Sequence, residues 1–275
     1  MDIRCIALDL DRTTLTREGT LSPGNRAALE YAIEKGVEVV VASGRAYSTL
    51  PEEIRTFPGI RYAVTSNGAA VCRIPDGQVL MRRCLPPEAA GKILTLSDEP
   101  GVTYEAFVDG IAYADREYMA DPASFGASPE AIAYLFATRR CSEDIRAFLL
   151  AHAENLDSVD VICWENERMD RLRRRFEMQL TEVYITSSSP QRLEFSQLET
   201  GKHTGVAWVL NELNLSPEQL ASFGDADNDA ELLRMSGCGI AVANATPLCR
   251  YVADAITTSN EDDGVAYGIY HILKL

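Results

Sequence analysis

Residues 3–13 read Ile-Arg-Cys-Ile-Ala-Leu-Asp-Leu-Asp-Arg-Thr, and the parsing of the whole chain starts there. Ile3 to Leu10 is apolar nearly throughout, which predicts a strand buried on both faces. Ser22-Pro23 follows as an N-cap with proline at the first helical position. Leu29, Ile33 and neighbouring alanines give that helix an apolar face, and Gly36 stops it. Val37 to Ala42 is a second buried strand, a helix starts at about Tyr47, and Tyr62 to Thr65 is a third strand. This β-α-β-α-β spacing predicts an α/β fold with a doubly wound parallel sheet and right-handed crossovers.

Past Asn67-Gly68 the rhythm changes. Val71 to Ile74 and Val79 to Arg83 flank Asp76-Gly77, and Val102 to Val108 and Ile111 to Arg116 flank Asp109-Gly110, both hairpin signals. Ile132 to Ala137, Val159 to Trp164 and Glu182 to Thr186 read as further strands, with helices capped at Ser142 and near Glu167. From Gln191 on the opening pattern returns. Thr204 to Leu213 is an amphipathic helix, Ser216-Pro217-Glu218-Gln219 a capping box, and Leu220 to Phe223 and Gly239 to Val242 short buried strands. The expected organisation is a core from residues 1–85 and 191–275, interrupted by an inserted α+β domain over 86–190.

The balance of 26 basic against 41 acidic residues leaves a net charge of −15, which disfavours nucleic acid as a partner. An acidic chain that binds an anion needs a metal or local cations at the site. No apolar run is long enough for a membrane span, and the first residues carry charges where a signal peptide would be apolar. The expectation is therefore a cytoplasmic protein. The seven cysteines are odd in number, lack CxxC spacing and mostly sit in apolar runs, so they read as reduced core thiols. The three histidines are not spaced as a zinc pair.

Four clusters remain for chemistry. In extended chain, residues two apart share a side, so Asp9 and Asp11 are expected to emerge together at the carboxyl end of the first strand, where open α/β sheets bind ligands. Two close carboxylates call for a cation or a shared proton, although a pair of solvated turn acids gives the same letters. Ser43-Gly44-Arg45 ends the second strand and offers a hydroxyl and a cation, as an oxyanion site or a plain strand-to-helix turn. Thr65-Ser66-Asn67-Gly68 ends the third strand, and turn chemistry explains it equally well. Phe223-Gly224-Asp225-Ala226-Asp227-Asn228-Asp229 is the richest: three aspartates within five residues exceed what helix capping uses, and they point to a metal.

Together these clusters resemble the haloacid dehalogenase (HAD) superfamily, and within it the Cof-type (subclass IIB) phosphatases. Asp9 to Thr13 is similar to the family's DxDx(T/V) motif, Ser43 with Gly44 and Arg45 to its second motif, and Asn67-Gly68-Ala69 to its Asn-Gly-Ala turn. Lys202 is similar to the third-motif lysine, and Gly224, Asp225, Asn228 and Asp229 to GDxxND. Gly239 to Ala245 and Glu261 to Ala266 resemble the branch's closing segments. The resemblance spans nearly the whole chain. It implies a Rossmann-like core with an inserted α/β cap of the C2B type.

By the same resemblance, the chain is a Mg²⁺-dependent phosphatase acting on small phosphorylated metabolites, a sugar phosphate or a phosphorylated cofactor. Asp9 would be the nucleophile that forms an aspartyl-phosphate, and Asp11 the acid and base. Mg²⁺ would be held by the Asp9 side chain, the Asp11 backbone carbonyl and Asp225, with Asp229 mainly behind them. Ser43, Asn67, Lys202 and Asn228 would hold phosphoryl oxygens. Two positions depart from the branch: Arg12 and His203 stand where glycine is usual. If position 12 needs a left-handed backbone, arginine costs roughly 1–2 kcal/mol, and its charge would act on Asp11. The alternatives are a phosphosugar mutase on the same scaffold and a non-catalytic phosphate-binding or signalling protein. In the insert, Arg171, Arg173, Arg174 and Arg175 read as the solvated face of an amphipathic helix whose apolar side is Met169, Leu172 and Phe176. Trp164 and Tyr113 read as core, with lining a pocket the alternative. Oligomeric state is not encoded in any recognisable segment.

Overall fold

The structure, a computed structural model, describes residues 2–275. In chain order the first strands are β1 (Cys5–Leu8), β2 (Glu38–Ala42), β3 (Tyr62–Thr65), β4 (Ala70–Arg73) and β5 (Val79–Arg82). Next come β6 (Val102–Val108), β7 (Ile111–Asp115), β8 (Arg140–Ser142), β9 (Leu156–Cys163), β10 (Val183–Ser189) and β11 (Arg192–Gln197). The last are β12 (Leu220–Gly224), β13 (Cys238–Ala241) and β14 (Ala255–Ile256). The chain divides into two compact units. One comprises the chain up to Arg45, Leu50–Met81 and Gly201–Leu275; the other comprises Arg82–Thr200 and Ala46–Thr49.

The first unit is built on an eight-stranded sheet in the order β14-β13-β12-β1-β2-β3-β4-β5. Its pairs are parallel from β14 to β3, and β4 runs antiparallel to β3. Strand order reverses beside β1, which lies between β12 and β2. That is the switch point at which open α/β sheets place ligands. Alternation sends Cys5 and Ala7 into a cluster with Val40, Val64 and with Val206, Val209 and Leu210 of helix Lys202–Glu212. Ile6 and Leu8 point to the other face, and both are also buried. Ser22 caps helix Pro23–Glu34 by accepting from the Asn25 N–H at 3.1 Å, with Pro23 at its first turn. The Ser216 capping box is formed, the Ser216 N–H donating to Gln219 Oε1 at 3.1 Å.

The second unit carries a six-stranded sheet in the order β10-β11-β9-β6-β7-β8. One face, with Tyr104, Ala106, Val159, Val161, Leu193 and Phe195, packs on helices Pro87–Leu96, Ile145–Ala151 and Asn166–Gln179. Met169, Leu172 and Phe176 are the buried side of the last helix, as its periodicity predicts.

Four readings of the sequence are corrected. Residues 132–137 are not a strand: they lie in helix Pro129–Thr138, capped by Ser128 through the Ala131 N–H. A short apolar run is ambiguous by period, and the Ser128-Pro129 start signal decides it. The helix expected from Tyr47 is a turn at Tyr47–Thr49 and a single helical turn, Glu52–Arg55, because Pro51 lacks the N–H needed to continue. Asp144, not Ser142, caps the helix after β8, accepting from the N–H groups of Arg146 and Ala147 at 3.0 Å. Finally β11, beyond the expected junction at Gln191, pairs antiparallel with β9 and β10 in the second unit's sheet. All seven cysteines are free thiols; most are buried, but Cys141 is exposed. Among the described residues no helix is long and apolar enough to cross a membrane.

Candidate active site

The carboxyl ends of β1 and β12 lie side by side, so the residues just after them meet. Asp9, Asp225 and Asp229 are buried, and one carboxylate oxygen from each lies within 4.8 Å of the others. The Lys202 ammonium, itself 2 % exposed, stands between them, 2.6 Å from Asp9 Oδ1 and 2.6 Å from Asp229 Oδ1. Asp229 is held on its other side as well: Oδ2 accepts from the N–H groups of Asp225 at 3.0 Å and Ala226 at 3.1 Å. Gly224 is required here, since a Cβ would lie 2.5 Å from Asp229 Cβ. Asp225 Oδ1 accepts from the Thr13 hydroxyl at 3.2 Å, and the Arg12 guanidinium reaches its Oδ2 at 3.9 Å.

The electrostatics follow from burial. Three carboxylates face one ammonium out of water. Burial and the neighbouring Asp229 push the Asp9 carboxyl well above its usual range against the pull of Lys202. The same two causes raise Asp225 to about 6, with Lys202 and Arg12 opposing. Burial works against the charge on Lys202, but Asp229 and Asp9 more than offset it and hold its pKa above the ordinary value. Such a set is short of positive charge, and its donors are hard oxygens. Its chemistry therefore fits a divalent cation.

Asp11 is placed differently from expectation. Its carboxylate is not in the cluster; it is half exposed and gripped by Arg45, with Nη2 to Oδ1 at 2.6 Å and Nε to Oδ2 at 2.8 Å. The reason is local: β1 ends at Leu8, and the chain then turns, so strand alternation no longer governs the side chains. Arg12 is in the left-handed region at φ 61°, the condition under which arginine costs roughly 1–2 kcal/mol. Its side chain acts on Asp225 rather than on Asp11.

The second and third strand ends converge beside this cluster. Ser43 is buried and its Oγ accepts from the Arg45 N–H at 3.1 Å, while the Asn67 N–H donates to the Ser43 carbonyl at 3.1 Å. Asn67 has φ 52°, and its Oδ1 accepts from Asn228 Nδ2 at 3.0 Å. The Asn228 Oδ1 is buried without a partner. Gly68, at φ 94°, lets its turn pass the Gly201 backbone, where a Cβ would sit 2.1 Å from a carbonyl oxygen. Gly44 packs against the Asn67 amide. Lys202 is the first residue of its helix, directly after the cap Gly201. The site thus draws in Asp9, Ser43, Asn67, Lys202, Asp225, Asn228 and Asp229, with Asp11 and Arg45 paired at its edge. Thr13 was legible only as part of a motif. Thr246, which donates to Asp227 at 2.8 Å and whose N–H donates to the Asp225 carbonyl at 2.7 Å, carried no sequence signal.

Comparison with known proteins gives this arrangement its class. The model of the haloacid dehalogenase-like hydrolases matches residues 6–269, and the chain belongs to that family. Phosphatase YwpJ of Bacillus subtilis (strain 168) is 28% identical over 287 residues, covering 98% of this chain and 100% of its own. The 5-amino-6-(5-phospho-D-ribitylamino)uracil phosphatase YcsE of the same organism is 27% identical over 281 residues, covering 98% and 96%. A solved haloacid dehalogenase-like hydrolase from B. subtilis superposes with a TM-score of 0.84 at 26% identity, over 98% of this chain and 100% of that one. Within the family, the chain is a Cof-type phosphatase.

Proposed function

We propose that this phosphatase is Mg²⁺-dependent, hydrolyses a small phosphorylated metabolite, and works through a phosphorylated Asp9. One observation carries the reading: Asp9, Asp225 and Asp229, from opposite ends of the chain, share a buried site with a single lysine. Asp9, Asp225 and the Asp11 carbonyl would hold Mg²⁺, which suits carboxylate oxygens and substrate phosphate and lends positive charge at the phosphoryl group. Asp229 has both oxygens engaged by protein donors, which favours an orienting role for it.

Asp9 Oδ attacks phosphorus, the bond from phosphorus to the leaving oxygen breaks, and that oxygen takes its proton from Asp11. A water then attacks phosphorus and gives its proton to Asp11, and the bond to Asp9 breaks with release of inorganic phosphate. Lys202, Ser43, Asn67 and Asn228 stand where donors can stabilise the charge spread over the phosphoryl oxygens. The relatives support a small phosphorylated metabolite as substrate: YwpJ is a phosphatase, and YcsE acts on a phosphorylated ribitylaminouracil. A sugar phosphate or a phosphorylated heterocyclic cofactor precursor is the corresponding expectation here.

The test is a panel of phosphorylated metabolites assayed with Mg²⁺ and with excess chelator. Phosphate release that depends on Mg²⁺ supports the reading. Release that survives the chelator contradicts the metal, and an isomerised phosphosugar without free phosphate contradicts hydrolysis.

A further inference from the structure

We propose that Arg12 sets the affinity of the metal site: its guanidinium is a tethered counter-ion of Asp225, so a divalent cation binds against a fixed positive charge and more weakly than the carboxylates alone would hold it. The inference rests on the reading of Asp9, Asp225 and Asp229 as a metal site and deepens it. Arg12 and Asp225 lie just beyond the ends of two paired strands, β1 and β12. The guanidinium Nε is 3.9 Å from Asp225 Oδ2, too far for a hydrogen bond, and among the described residues the guanidinium donates none. Its charge reaches the carboxylate through space without pinning it. The Arg12 side chain is 65% exposed and that of Asp225 only 6%, so a solvated cation faces a buried acid.

Stability does not explain an arginine at this position. Its φ of 61° is left-handed backbone, which strains a residue with a Cβ and suits glycine. The turn does not escape that strain by relaxing, because it is tied at several points. Asn244 Nδ2 donates to the Arg12 carbonyl at 2.8 Å, the Thr13 hydroxyl donates to Asp225 Oδ1 at 3.2 Å, and the Leu15 N–H donates to the Leu10 carbonyl at 2.9 Å. An ion pair with an exposed partner contributes little in return, less than the strain. What the side chain adds is positive charge at Asp225. Thr13 already engages Oδ1, so Oδ2, the oxygen that Arg12 faces, is the one without a hydrogen bond and the better placed to meet a cation. A guanidinium and a metal ion drawn to the same carboxylate repel each other. Because the guanidinium is exposed, salt screens that repulsion.

Mg²⁺ is titrated into the full chain by calorimetry, with the rise in melting temperature as a second readout. Arg12→Gln, which removes the charge and keeps a side chain, is expected to bind Mg²⁺ about tenfold more tightly than the parent. Arg12→Lys, which keeps the charge, stays near the parent, and the gap between parent and Arg12→Gln narrows as ionic strength rises. Tightening in Arg12→Lys equal to that in Arg12→Gln overturns the inference. Arg12→Gly also relieves the backbone; tighter binding in Arg12→Gly with none in Arg12→Gln makes strain rather than charge the cause and overturns it. Unchanged Mg²⁺ affinity in Arg12→Gln with weakened binding of inorganic phosphate assigns the guanidinium to an anion and overturns it as well. The two readings fail separately. Mg²⁺ bound equally well by parent and all variants overturns the role of Arg12 and leaves the metal site standing, whereas no Mg²⁺ bound by any of them overturns both.

Discussion

Arg45 grips Asp11 by both carboxylate oxygens, at 2.6 and 2.8 Å, while Asp9, two residues earlier, is held by Lys202. The two aspartates that the sequence pairs are thus served by different cations. Asp9 is buried among acids, and Asp11 stands half exposed at the edge. This separation suits one carboxylate that attacks and a second that exchanges protons with water and leaving group.

Asp9→Asn is expected to reduce turnover to background with the fold retained, read by steady-state phosphate release and circular dichroism. Asp11→Asn is expected to lower kcat by about 10²–10⁴-fold, the range for a lost general acid. Full activity in either variant removes that residue from its role.

Arg45→Met releases the Asp11 carboxylate. A charge-assisted pair of this kind is worth about 1.5–3 kcal/mol, so kcat is expected to fall by roughly 10- to 100-fold. A rise in KM with kcat unchanged would instead assign Arg45 to substrate binding.

Lys202→Met leaves three buried carboxylates without their ammonium. Breaking a buried ion pair costs about 3–5 kcal/mol. Chemical denaturation in chelator is expected to show that loss, and added Mg²⁺ should recover part of it. A variant as stable as its parent in chelator would contradict the charge balance described for the site.

In the second unit, burial pushes the Glu105 carboxyl up, but Arg139 and Arg192 overcome it and hold it at about 2. A depressed carboxyl stabilises the folded state fully above its unfolded pKa of about 4.5 and loses that contribution as pH falls towards 2. Glu105→Gln is expected to destabilise the unit at neutral pH and to flatten the acid limb of its unfolding curve. An unchanged acid limb would mean that the ion pairs of Glu105 do not contribute.

Much of this was readable from residue order because the deciding signals are local. Buried runs such as Val37 to Ala42, caps such as Ser22-Pro23, and the spacing of strands and helices are short-range physics. The convergence of Asp9 with Asp225 follows once both are seen to end neighbouring strands. What stayed hidden depends on chain direction after a strand stops. The helical turn that starts at Leu10, directly after Asp9, takes Asp11 out of register with Asp9, and no pattern of letters states where that turn begins. Residues 132–137 show the other limit, where six apolar residues satisfy strand and helix alike. Nothing in the residue order announces that Arg139 and Arg192 are the counter-ions of a buried acidic row, because its members are adjacent only across the sheet.

The central claim is that Asp9 carries the phosphoryl group between substrate and water. Mass spectrometry of acid-quenched turnover mixtures tests it most directly. The account predicts a phosphoryl group on the peptide containing Asp9, present only with substrate and Mg²⁺ and absent from Asp9→Asn. Steady phosphate release with that peptide never modified, and undiminished in Asp9→Asn, would contradict it.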